Sequence, residues 1–554
     1  MPAQLTYPGV YIEEIPSGVR TIIGVATSIT AFIGRAKRGP VNNATTINSF
    51  GDFERIFGGL WINSTLGFAV RDFYLNGGSQ AVIIRLYHAE TGNTAKPSKA
   101  KLKVGDFTLI AAYEGAWGMN LRASIDLDIS ADVAVSMGLA VSDLFNLTVR
   151  DTTPDGLTER FINLSIKESP RRIDNVLGAN SKLIRWDGNC PPAPLPAIAA
   201  ADDKVTEAEK ILADLNKANP LDQAAIAVAQ TALDTAKSGM IASDGMALTK
   251  AEDFTPQNAE VNKKGLYALE QVDLFNLLCI PPYLSTGNVE VSLISDAAAY
   301  CELKRRAMIL VDPPSSWTDK ETAKNEINDA TKDNIGTRSK NAALFFPRLK
   351  QPNPLHDGQM EDFVPCGAVA GIFARTDTAR GVWKAPAGLE ATLFGVPQLS
   401  VSLTDDENGN LNPLGINCLR AMPAAGRVVW GARTLQGADR LASEWKYIPV
   451  RRTALFLEES LFRSLQWVVF EPNDEPLWAQ IRLNVGAFMH SLFVQGAFQG
   501  TTPQEAYFVK CDKETTTQDD INKGIVNIVV GFAPLKPAEF VVIKLQQMAG
   551  QIQT

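Results

Sequence analysis

The sequence predicts a multidomain protein of the α/β class (mixed α+β), with a discontinuous core built from the N-terminal and C-terminal parts of the chain. Short apolar runs alternate with amphipathic helical segments before residue 90 and again after residue 266. The stretch between them is more polar and ends in a helical region, which indicates an inserted outer domain. The chain has 554 residues, more than one hydrophobic core usually holds, so several domains are expected.

The predicted N-terminal arm, 1–19, contains one short strand. Residues 10–15 are mostly apolar and lie between turn-forming clusters at 7–9 and 16–18. A single strand of this length does not fold alone, because its backbone donors and acceptors need a partner strand. The candidate pairing residues are Val10, Tyr11, Ile12 and Ile15.

The first part of the predicted core, 20–90, carries three strand-like runs and one helix. The runs at 22–25, 31–33 and 81–86 are apolar and short enough to be buried strands. Between the second and third runs, the segment 65–74 has apolar residues at helical spacing. This alternation predicts the beginning of an α/β sheet.

The middle of the chain, 91–265, is predicted to be the inserted outer domain, rich in strands at first and helical later. Within about 202–236, two segments have Ala, Leu, Glu and Lys at helical spacing, and Asn219-Pro220 separates them. This pattern predicts an antiparallel helical hairpin. Its apolar stripe is interpreted as the mutual core of the two helices rather than as a partner-binding surface. The stripe consists of Ile211, Leu212, Leu215, Ile226 and Leu233.

The second part of the predicted core, 266–533, resumes the α/β pattern. Buried strands are predicted at 274–280 and 307–311, with the helical segment 293–304 between them.

Two longer helices are predicted after these strands, at 453–470 and at 474–494, the second capped by Asp474. The runs 506–511 and 525–532 then predict a β-hairpin.

The predicted C-terminal arm, 534–554, ends the chain with another lone strand at 540–545. Apolar residues alternate with Lys544 in the period-2 pattern of a strand. Such terminal strands either dock on their own domain or extend the sheet edge of another chain, and the pattern alone leaves both open. The candidate pairing residues are Phe540, Val541, Val542, Ile543 and Leu545.

Composition and charge exclude several functional classes. The chain is 45% hydrophobic and 21% charged, as ordinary globular proteins are. Its net charge is −8 with no long basic run, so nucleic acid is not an expected partner. The first residues lack the features of a signal peptide, and no stretch approaches the roughly 18 apolar residues of a membrane helix. We therefore expect a protein made and kept in the cytoplasm, without membrane insertion.

The sequence contains little that indicates chemistry. The three histidines, His88, His356 and His490, are far from one another and from the cysteines, so no metal site is expected. No phosphate-binding loop, nucleophile elbow or dinucleotide-binding turn is present, and no cofactor or catalytic residue is predicted. The six cysteines form no C-x-x-C pair and are expected to be free, buried thiols. The acidic stretch 405–410 is interpreted as a solvated Asn-Gly turn rather than as a calcium loop.

A series of motifs makes the chain resemble the tail sheath proteins of contractile phages and of related extracellular contractile injection systems. The resemblance covers roughly 5–90 and 270–550. The N-terminal motifs are Tyr7-Pro8-Gly9-Val10-Tyr11, Phe32-Ile33-Gly34, Arg38-Gly39-Pro40, Phe50-Gly51-Asp52-Phe53 and Asn76-Gly77-Gly78. The C-terminal motifs include Arg380-Gly381-Val382-Trp383-Lys384-Ala385-Pro386-Ala387, Trp430-Gly431-Ala432-Arg433-Thr434-Leu435, Trp445-Lys446-Tyr447-Ile448-Pro449-Val450-Arg451-Arg452, Phe470-Glu471-Pro472-Asn473-Asp474 and Pro534-Leu535-Lys536-Pro537-Ala538-Glu539-Phe540.

The resemblance implies a mechanical function. Subunits of that family form stacked six-subunit rings around an inner tube, and their terminal arms add strands to the sheets of neighbouring subunits. The implied partners are other copies of the chain, the inner tube protein, and baseplate and tail terminator proteins. The implied location is the bacterial cytoplasm during assembly, and then a phage tail or an injection particle that can be released from the cell.

The resemblance also implies which residues meet neighbours. The hairpin that receives the arms would use Tyr507, Val509, Ile525, Ile528 and Val530. The tube-facing element would be the helix 453–470, through its polar residues Glu458, Glu459 and Arg463, with 474–494 as the second choice. For Arg375, Arg380, Arg451 and Arg452, pairing within the chain, with Asp377 or Glu458, is favoured over contacts with partners.

Two other functions stay open at this point. One is a noncontractile structural tube, which would form polymers of a single pitch. The other is a particle-borne polysaccharide hydrolase with paired carboxylates such as Asp312 or Asp377, although nothing in the sequence selects such a pair.

Overall fold

The computed structural model describes residues 21–154, 156–190, 197–217, 222–329, 331 and 334–544. Its strands are β1 (Thr30–Gly34), β2 (Thr45–Ile47), β3 (Ala81–Arg85), β4 (Lys101–Val104), β5 (Phe107–Ala111), β6 (Leu121–Asp126), β7 (Leu144–Asp151), β8 (Thr158–Ser165), β9 (Ile184–Trp186), β10 (Ala201–Asp202), β11 (Leu277–Cys279), β12 (Met308–Val311), β13 (Ala342–Phe346), β14 (Leu349–Asn353), β15 (Gln359–Phe363), β16 (Gln398–Leu399), β17 (Ile416–Met422), β18 (Gly426–Val429), β19 (Tyr507–Lys510) and β20 (Val529–Phe532).

The helices lie between these strands and after them. They are α1 (Phe50–Phe57), α2 (Leu66–Leu75), α3 (Ala131–Ser136), α4 (Ile173–Asn180), α5 (Lys204–Lys217), α6 (Gln223–Gly239), α7 (Ala251–Phe254), α8 (Ala259–Asn262), α9 (Val291–Tyr300), α10 (Lys320–Asn328), α11 (Cys366–Arg380), α12 (Asp405–Leu411), α13 (Ile448–Ser464), α14 (Glu475–Val494), α15 (Pro503–Ala506) and α16 (Gln518–Asn522).

One eight-stranded sheet draws strands from both ends of the chain, in the order β18-β17-β13-β12-β11-β1-β3-β2. The strands from β17 to β3 are parallel, and the two outer strands, β18 and β2, are antiparallel to their neighbours. β1 pairs directly with β11, so that Thr30 lies opposite Leu277. The predicted α/β class is confirmed, and the two predicted parts of the core contribute to the same sheet. The domain boundaries given above stay a prediction.

Both faces of this sheet are covered, which is why its central strands β1, β3, β11, β12 and β13 are mainly apolar. In β1, Ala31 and Ile33 pack on the face that also holds residues of α9 and α10. Phe32 points to the other face and packs with residues of α2 and α11. The alternation of a strand thus divides one apolar run between two core layers.

The close approach of α2 and α11 depends on glycine. A Cβ atom added at Gly367 would lie 2.0 Å from the carbonyl oxygen of Ala69, and one at Gly371 would lie 2.4 Å from that of Phe73. Backbone atoms of a packed helix cannot move aside as a flexible side chain can. The two glycines of α11 therefore set the distance between these helices.

The region between β3 and β11 forms its own core from two smaller sheets, β10-β6-β7-β8 and β4-β5-β9. The predicted helical hairpin is present as α5 and α6, and Val205 and Leu233 pack into this core. Ile211 was predicted to belong to the mutual core of the two helices, but in the structure this residue is 56% exposed. The hairpin thus packs on the sheets as well as on itself.

Arginines attach this region to the main sheet. Arg38 binds Asp151 at 3.0 Å, with both side chains largely buried. Arg85, at the end of β3, is buried and donates to the carbonyl oxygens of Ala36, Gly39 and Glu114.

Two local predictions are wrong. The run 22–25 is not a strand, because Ile22 packs with α14 and Gly24 lies against the ring of Phe456. The acidic stretch 405–410 belongs to helix α12 rather than to a turn. There, the Thr404 hydroxyl accepts from the Glu407 backbone N–H while the Glu407 carboxylate accepts from the Thr404 backbone N–H, which is a capping box.

None of the described helices is long and apolar enough to cross a lipid bilayer.

Asp312 follows β12 and is a partly buried residue whose carboxyl group has incomplete hydrogen bonding. Its Oδ1 accepts from the backbone N–H of Cys366 at 2.9 Å, while its buried Oδ2 has no hydrogen-bond partner in the described structure. Burial, the largest cause, raises the pKa of Asp312 to about 7, although the bonds with Cys366 and the charge of Arg348 act in the opposite direction. The folded protein therefore holds a proton here that the unfolded chain releases near its ordinary pKa of 3.8.

We expect Gly367→Ala to destabilise the protein by about 2 kcal/mol or more, because the added methyl group meets the backbone of α2. Urea unfolding, followed by circular dichroism, measures this. Gly178→Ala in α4 is the control: a Cβ there meets nothing within 4 Å, and replacing a helical glycine by alanine stabilises by up to about 1 kcal/mol. Equal behaviour of the two variants would contradict the close packing of α2 on α11.

We expect the stability contribution of Asp312 to be complete below its unfolded pKa of 3.8 and to be lost as the pH rises through about 7. Asp312→Asn should remove this loss, which is at most about 4 kcal/mol because one pKa unit corresponds to about 1.4 kcal/mol. The measurement is the urea midpoint at pH 5 and at pH 8. Asp106→Asn, at an exposed position, should keep the dependence of the wild type. A wild-type-like loss in Asp312→Asn would assign the pH dependence to other groups.

Candidate assembly interface

The C-terminal part of the chain forms a separate packing unit around α13 and α14. Leu457 of α13 packs with Trp478 and Val485 of α14 in an apolar cluster, and the hairpin β19-β20 covers this cluster with Tyr507 and other partly buried residues. α14 begins as predicted, because the Asp474 carboxylate accepts from the backbone N–H of Glu475 at 2.7 Å and proline follows in the first turn.

The predicted hairpin is present, with Tyr507 opposite Phe532 and Val509 opposite Val530. Its second strand is shorter than predicted: Ile525 and Ile528 precede β20, which begins at Val529. In the described chain this sheet contains only two strands, so each strand has one edge to which a further strand can pair.

The C-terminal segment that was predicted to be a strand is unpaired in the described chain. Its four consecutive apolar residues are all strongly exposed, from 76% at Phe540 to 82% at Val541, and they form no regular structure. Val542 and Ile543 are each 78% exposed. The other candidate arm residues lie outside the described residues: Val10, Tyr11, Ile12, Ile15 and Leu545.

Residues 533–539 connect the hairpin to this exposed segment, and we call them the strap. The strap crosses to the domain that contains the eight-stranded sheet, which we call the main domain. It leaves β20 beside α14, where the Gln499 N–H donates to the Ala533 carbonyl at 2.9 Å and Pro534 bridges with Phe498. It ends at Glu539, which binds Arg433 near β17.

A cleft of about 690 Å³ lies between the strap and the main domain. Trp383 and Trp430 line one side of it, and residues 535–540 line the other. The strap is therefore attached at its two ends and spans a cleft between them.

The predicted tube-facing helix begins and ends earlier than expected. α13 spans Ile448–Ser464 rather than 453–470, with proline in its first turn and Leu465 as the C-terminal cap. Three charged residues were predicted to be its polar, tube-facing side, and in the described structure each also forms an ion pair within the chain. They are Glu458, Glu459 and Arg463.

Glu459 is only 7% exposed and binds Arg306 at 3.0 Å and Arg463 at 2.7 Å. Arg463 also binds Asp273 at 2.7 Å. The bonds with Asp273, the largest cause, and those with Glu459 raise the pKa of Arg463, against the effect of burial. Glu459 thus belongs to an internal ion-pair network and not to an exposed face, while the contact of this helix with a tube stays a prediction.

The other arginines pair within the chain, as favoured from the sequence. Arg452 binds Asp377 through two bonds of 2.8 and 2.6 Å, and both side chains are 4% exposed. Arg451 binds Glu458 at 3.1 Å. Arg380 pairs with Glu390 at the surface instead of with Asp377.

Sequence reasoning missed the exposure of Phe470. This residue is fully exposed in the loop between α13 and α14 and has a φ angle of 71°, a left-handed conformation that bulky residues rarely adopt. Its motif, Phe470-Glu471-Pro472-Asn473-Asp474, was noted, but a sequence motif does not give a backbone angle. An exposed aromatic residue held in this way is a candidate contact residue.

The groups considered for catalysis do not form a site. Asp377 forms an ion pair with Arg452, and Asp312 accepts a hydrogen bond from the first residue of α11. The described part of the chain contains no cluster of three or more His, Cys, Asp and Glu residues that could hold a metal ion. The six cysteines are free thiols, and all but Cys190 are buried.

Comparison with known proteins gives matches to two models of one family. The central domain of phage tail sheath proteins matches residues 256–435, and their C-terminal domain matches residues 442–547. Together these two regions cover just over half of the chain. The tail sheath protein of Vibrio phage KVP40 is 23% identical over 275 residues, which are 46% of this chain and 39% of that protein. The chain thus matches less than half of the length of this curated relative.

Solved structures share the fold over nearly the whole chain. The contracted sheath of PVC, an extracellular contractile injection system, is 20% identical, with a TM-score of 0.55 and coverage of 98% of each chain. The contracted helical sheath of the anti-feeding prophage is 22% identical, with a TM-score of 0.52 and coverage of 98% of this chain and 99% of that one. With two matching domains and a shared fold, the chain belongs to the phage tail sheath protein family.

Proposed function

We propose that the chain is the structural subunit of a contractile sheath, which polymerises around an inner tube as stacked six-subunit rings and contracts to drive the tube through a target membrane. The observation that carries the proposal is the exposed apolar segment that begins at Phe540, in a chain whose hairpin β19-β20 has no third strand among the described residues. Four consecutive exposed apolar residues are unfavourable in water and favour pairing with another chain.

Pairing between copies is supported over docking on the same chain. The segment lies undocked although its own hairpin is present in the described structure. Its strand pattern places Val541 and Ile543 on one face and Val542 and Lys544 on the other. An added strand would bury the apolar face against the C-terminal unit of a neighbour and leave Lys544 in water.

The mechanism is mechanical. Subunits assemble in an extended, metastable state and then rotate as nearly rigid bodies, while the arms keep neighbours connected. No chemical fuel is needed if contraction buries new surface: about 200 Å² of apolar area per subunit would release roughly 5 kcal/mol before ordering costs. The partners in this proposal are other copies of the chain, the inner tube, and baseplate and tail terminator proteins. Assembly takes place in the bacterial cytoplasm, the particle can act outside the cell, and no catalytic activity is involved.

We expect the double variant Val541→Asp/Ile543→Asp to prevent assembly, because it places charges on the face that pairing would bury. Val542→Asp is the matched control, since it adds a charge to the same segment on the opposite face. All three positions are about four-fifths exposed in the single chain, so each monomer should keep its stability within about 0.5 kcal/mol. Negative-stain electron microscopy with the cognate inner tube measures assembly.

Striated tubes from the wild type and Val542→Asp, but not from the double variant, would support the proposal. Equal assembly of all three proteins would contradict pairing through this segment. Tubes that keep one fixed pitch under every condition, including contact with a baseplate, would favour the noncontractile tube.

A further inference from the structure

Glu539, the last residue of the strap, forms three hydrogen bonds with the main domain. The strap and the exposed segment after it, residues 533–544, are together called the C-terminal extension. Arg433 donates from Nε to Oε1 of Glu539 at 2.8 Å and from Nη2 to Oε2 at 2.6 Å. The Tyr447 hydroxyl donates to Oε2 at 3.2 Å. Arg433 is fully buried and Glu539 is largely buried, so these charge-assisted bonds are weakly screened by water and salt. We call Arg433, Tyr447 and Glu539 the clamp.

The clamp is bonded to the main sheet through Asn417. The backbone N–H of Arg433 donates to Oδ1 of Asn417, a residue of β17, at 2.6 Å. The Asn417 side chain donates in turn to the carbonyl oxygens of Arg433 and of Leu344 in β13. The remaining guanidinium nitrogen of Arg433 binds Asp439 and the carbonyl oxygen of Asn412. These bonds hold Arg433 in place independently of its bonds to Glu539.

The residues on each side of Glu539 are held much less. Lys536 and Ala538 are exposed, and the cleft lies beneath this part of the strap. After Glu539, the chain is exposed at once, beginning with Phe540. Glu539, which binds Arg433, is thus the last residue of the extension that is held by the main domain, and the next residue is already exposed.

We propose that Arg433 and Tyr447 act as positioning residues that root the C-terminal extension on the eight-stranded sheet, so that the extension moves only from Phe540 onward.

In the proposed sheath, a neighbouring subunit can pull on the extension, and the clamp then determines which strands receive the tension. This consequence rests on the proposed function. Without it, tension would reach β20 directly and peel it from β19, in a two-stranded sheet that is only marginally stable by itself. With it, tension reaches β17 and β13 through Arg433 and Asn417, within a sheet of eight strands.

Cleavage of the isolated full-length chain by chymotrypsin after Phe540 tests the clamp without any assembly. A protease must bind several extended residues before the bond that it cuts, so cleavage here requires Glu539 to leave Arg433. We expect Glu539→Gln to be cut about tenfold faster than the wild type, since the variant loses the charge-assisted bonds. Mass spectrometry measures the loss of the residues after Phe540. Two peptides with the sequence 534–546, carrying Glu or Gln at position 539, correct for the preference of the protease.

Two further variants make the outcome specific. Tyr447→Phe leaves the cleaved sequence unchanged and removes one bond to Glu539, so it should be cut faster than the wild type but more slowly than Glu539→Gln. Glu444→Gln, at an exposed glutamate nearby in the sequence, should behave as the wild type. Each variant must keep the wild-type melting temperature of the main domain; if Glu539→Gln does not, Tyr447→Phe alone decides. Equal cleavage rates for the wild type and the clamp variants would overturn the proposal and leave the sheath function untouched.

Discussion

The parallel pairing of β1 with β11 is the contact on which the rest of the structure depends. Only three residue pairs form it, from Thr30 opposite Leu277 to Phe32 opposite Cys279. It joins two parts of the chain that are separated by the whole inserted region, and it is continued on both sides by parallel neighbours. One face of the sheet is then covered by α9 and α10 from the second part, and the other by α2 from the first part and α11 from the second. A contact between residues so far apart in sequence closes a very long loop, and the apolar burial on both faces of the sheet must offset that cost.

Arginine side chains supply several of the polar connections between the packed units. Arg38 and Arg85 attach the inserted region, Arg452 connects α13 to α11, and Arg433 receives the C-terminal extension. A guanidinium group suits this position because it can bind carboxylate and carbonyl oxygens in several directions while it is buried. Since these arginines are engaged within the chain, contacts between copies must depend on exposed apolar residues, on open strand edges and on the charges that remain at the surface.

The sequence pattern predicted elements whose apolar residues alternate or recur at helical spacing. The strands at 31–33, 81–86 and 307–311 were placed to within one residue at either end. The run 22–25 has the same apolar character, but it packs through side chains against α13 and α14 and forms no ladder. Pattern alone cannot distinguish these cases, because both bury apolar residues. The prediction for 405–410 was wrong for another reason. The capping box at Thr404 stabilises the start of a helix, and this outweighs the tendency of the Asn-Gly pair to form a turn.

The candidate interface was predictable to different extents. Its strand-like end and its hairpin have local patterns, so both were located from the sequence, although the pairing between copies remains a proposal. The clamp was not predictable, because Arg433 and Glu539 lie 106 residues apart and neither has a neighbouring residue that identifies the other. The left-handed conformation of Phe470 was not predictable either, since a glycine or asparagine would have been the usual signal.

The path of the strap also explains why the exposed segment of an isolated subunit need not pair with the hairpin of the same subunit. β19 and β20 have only four residues each, and Lys510 is one of them, which are features that limit unwanted pairing at an exposed edge. From β20 the strap runs past Phe498 to Arg433, so the exposed segment starts from the main domain and not beside its own hairpin. To pair with that hairpin, the segment would have to turn back along the strap or break the bonds of Glu539. Pairing with the hairpin of another copy requires neither, provided that the copy lies on the side where Phe540 emerges. If the clamp roots the extension as proposed, the same contact would favour exchange between subunits over closure within one.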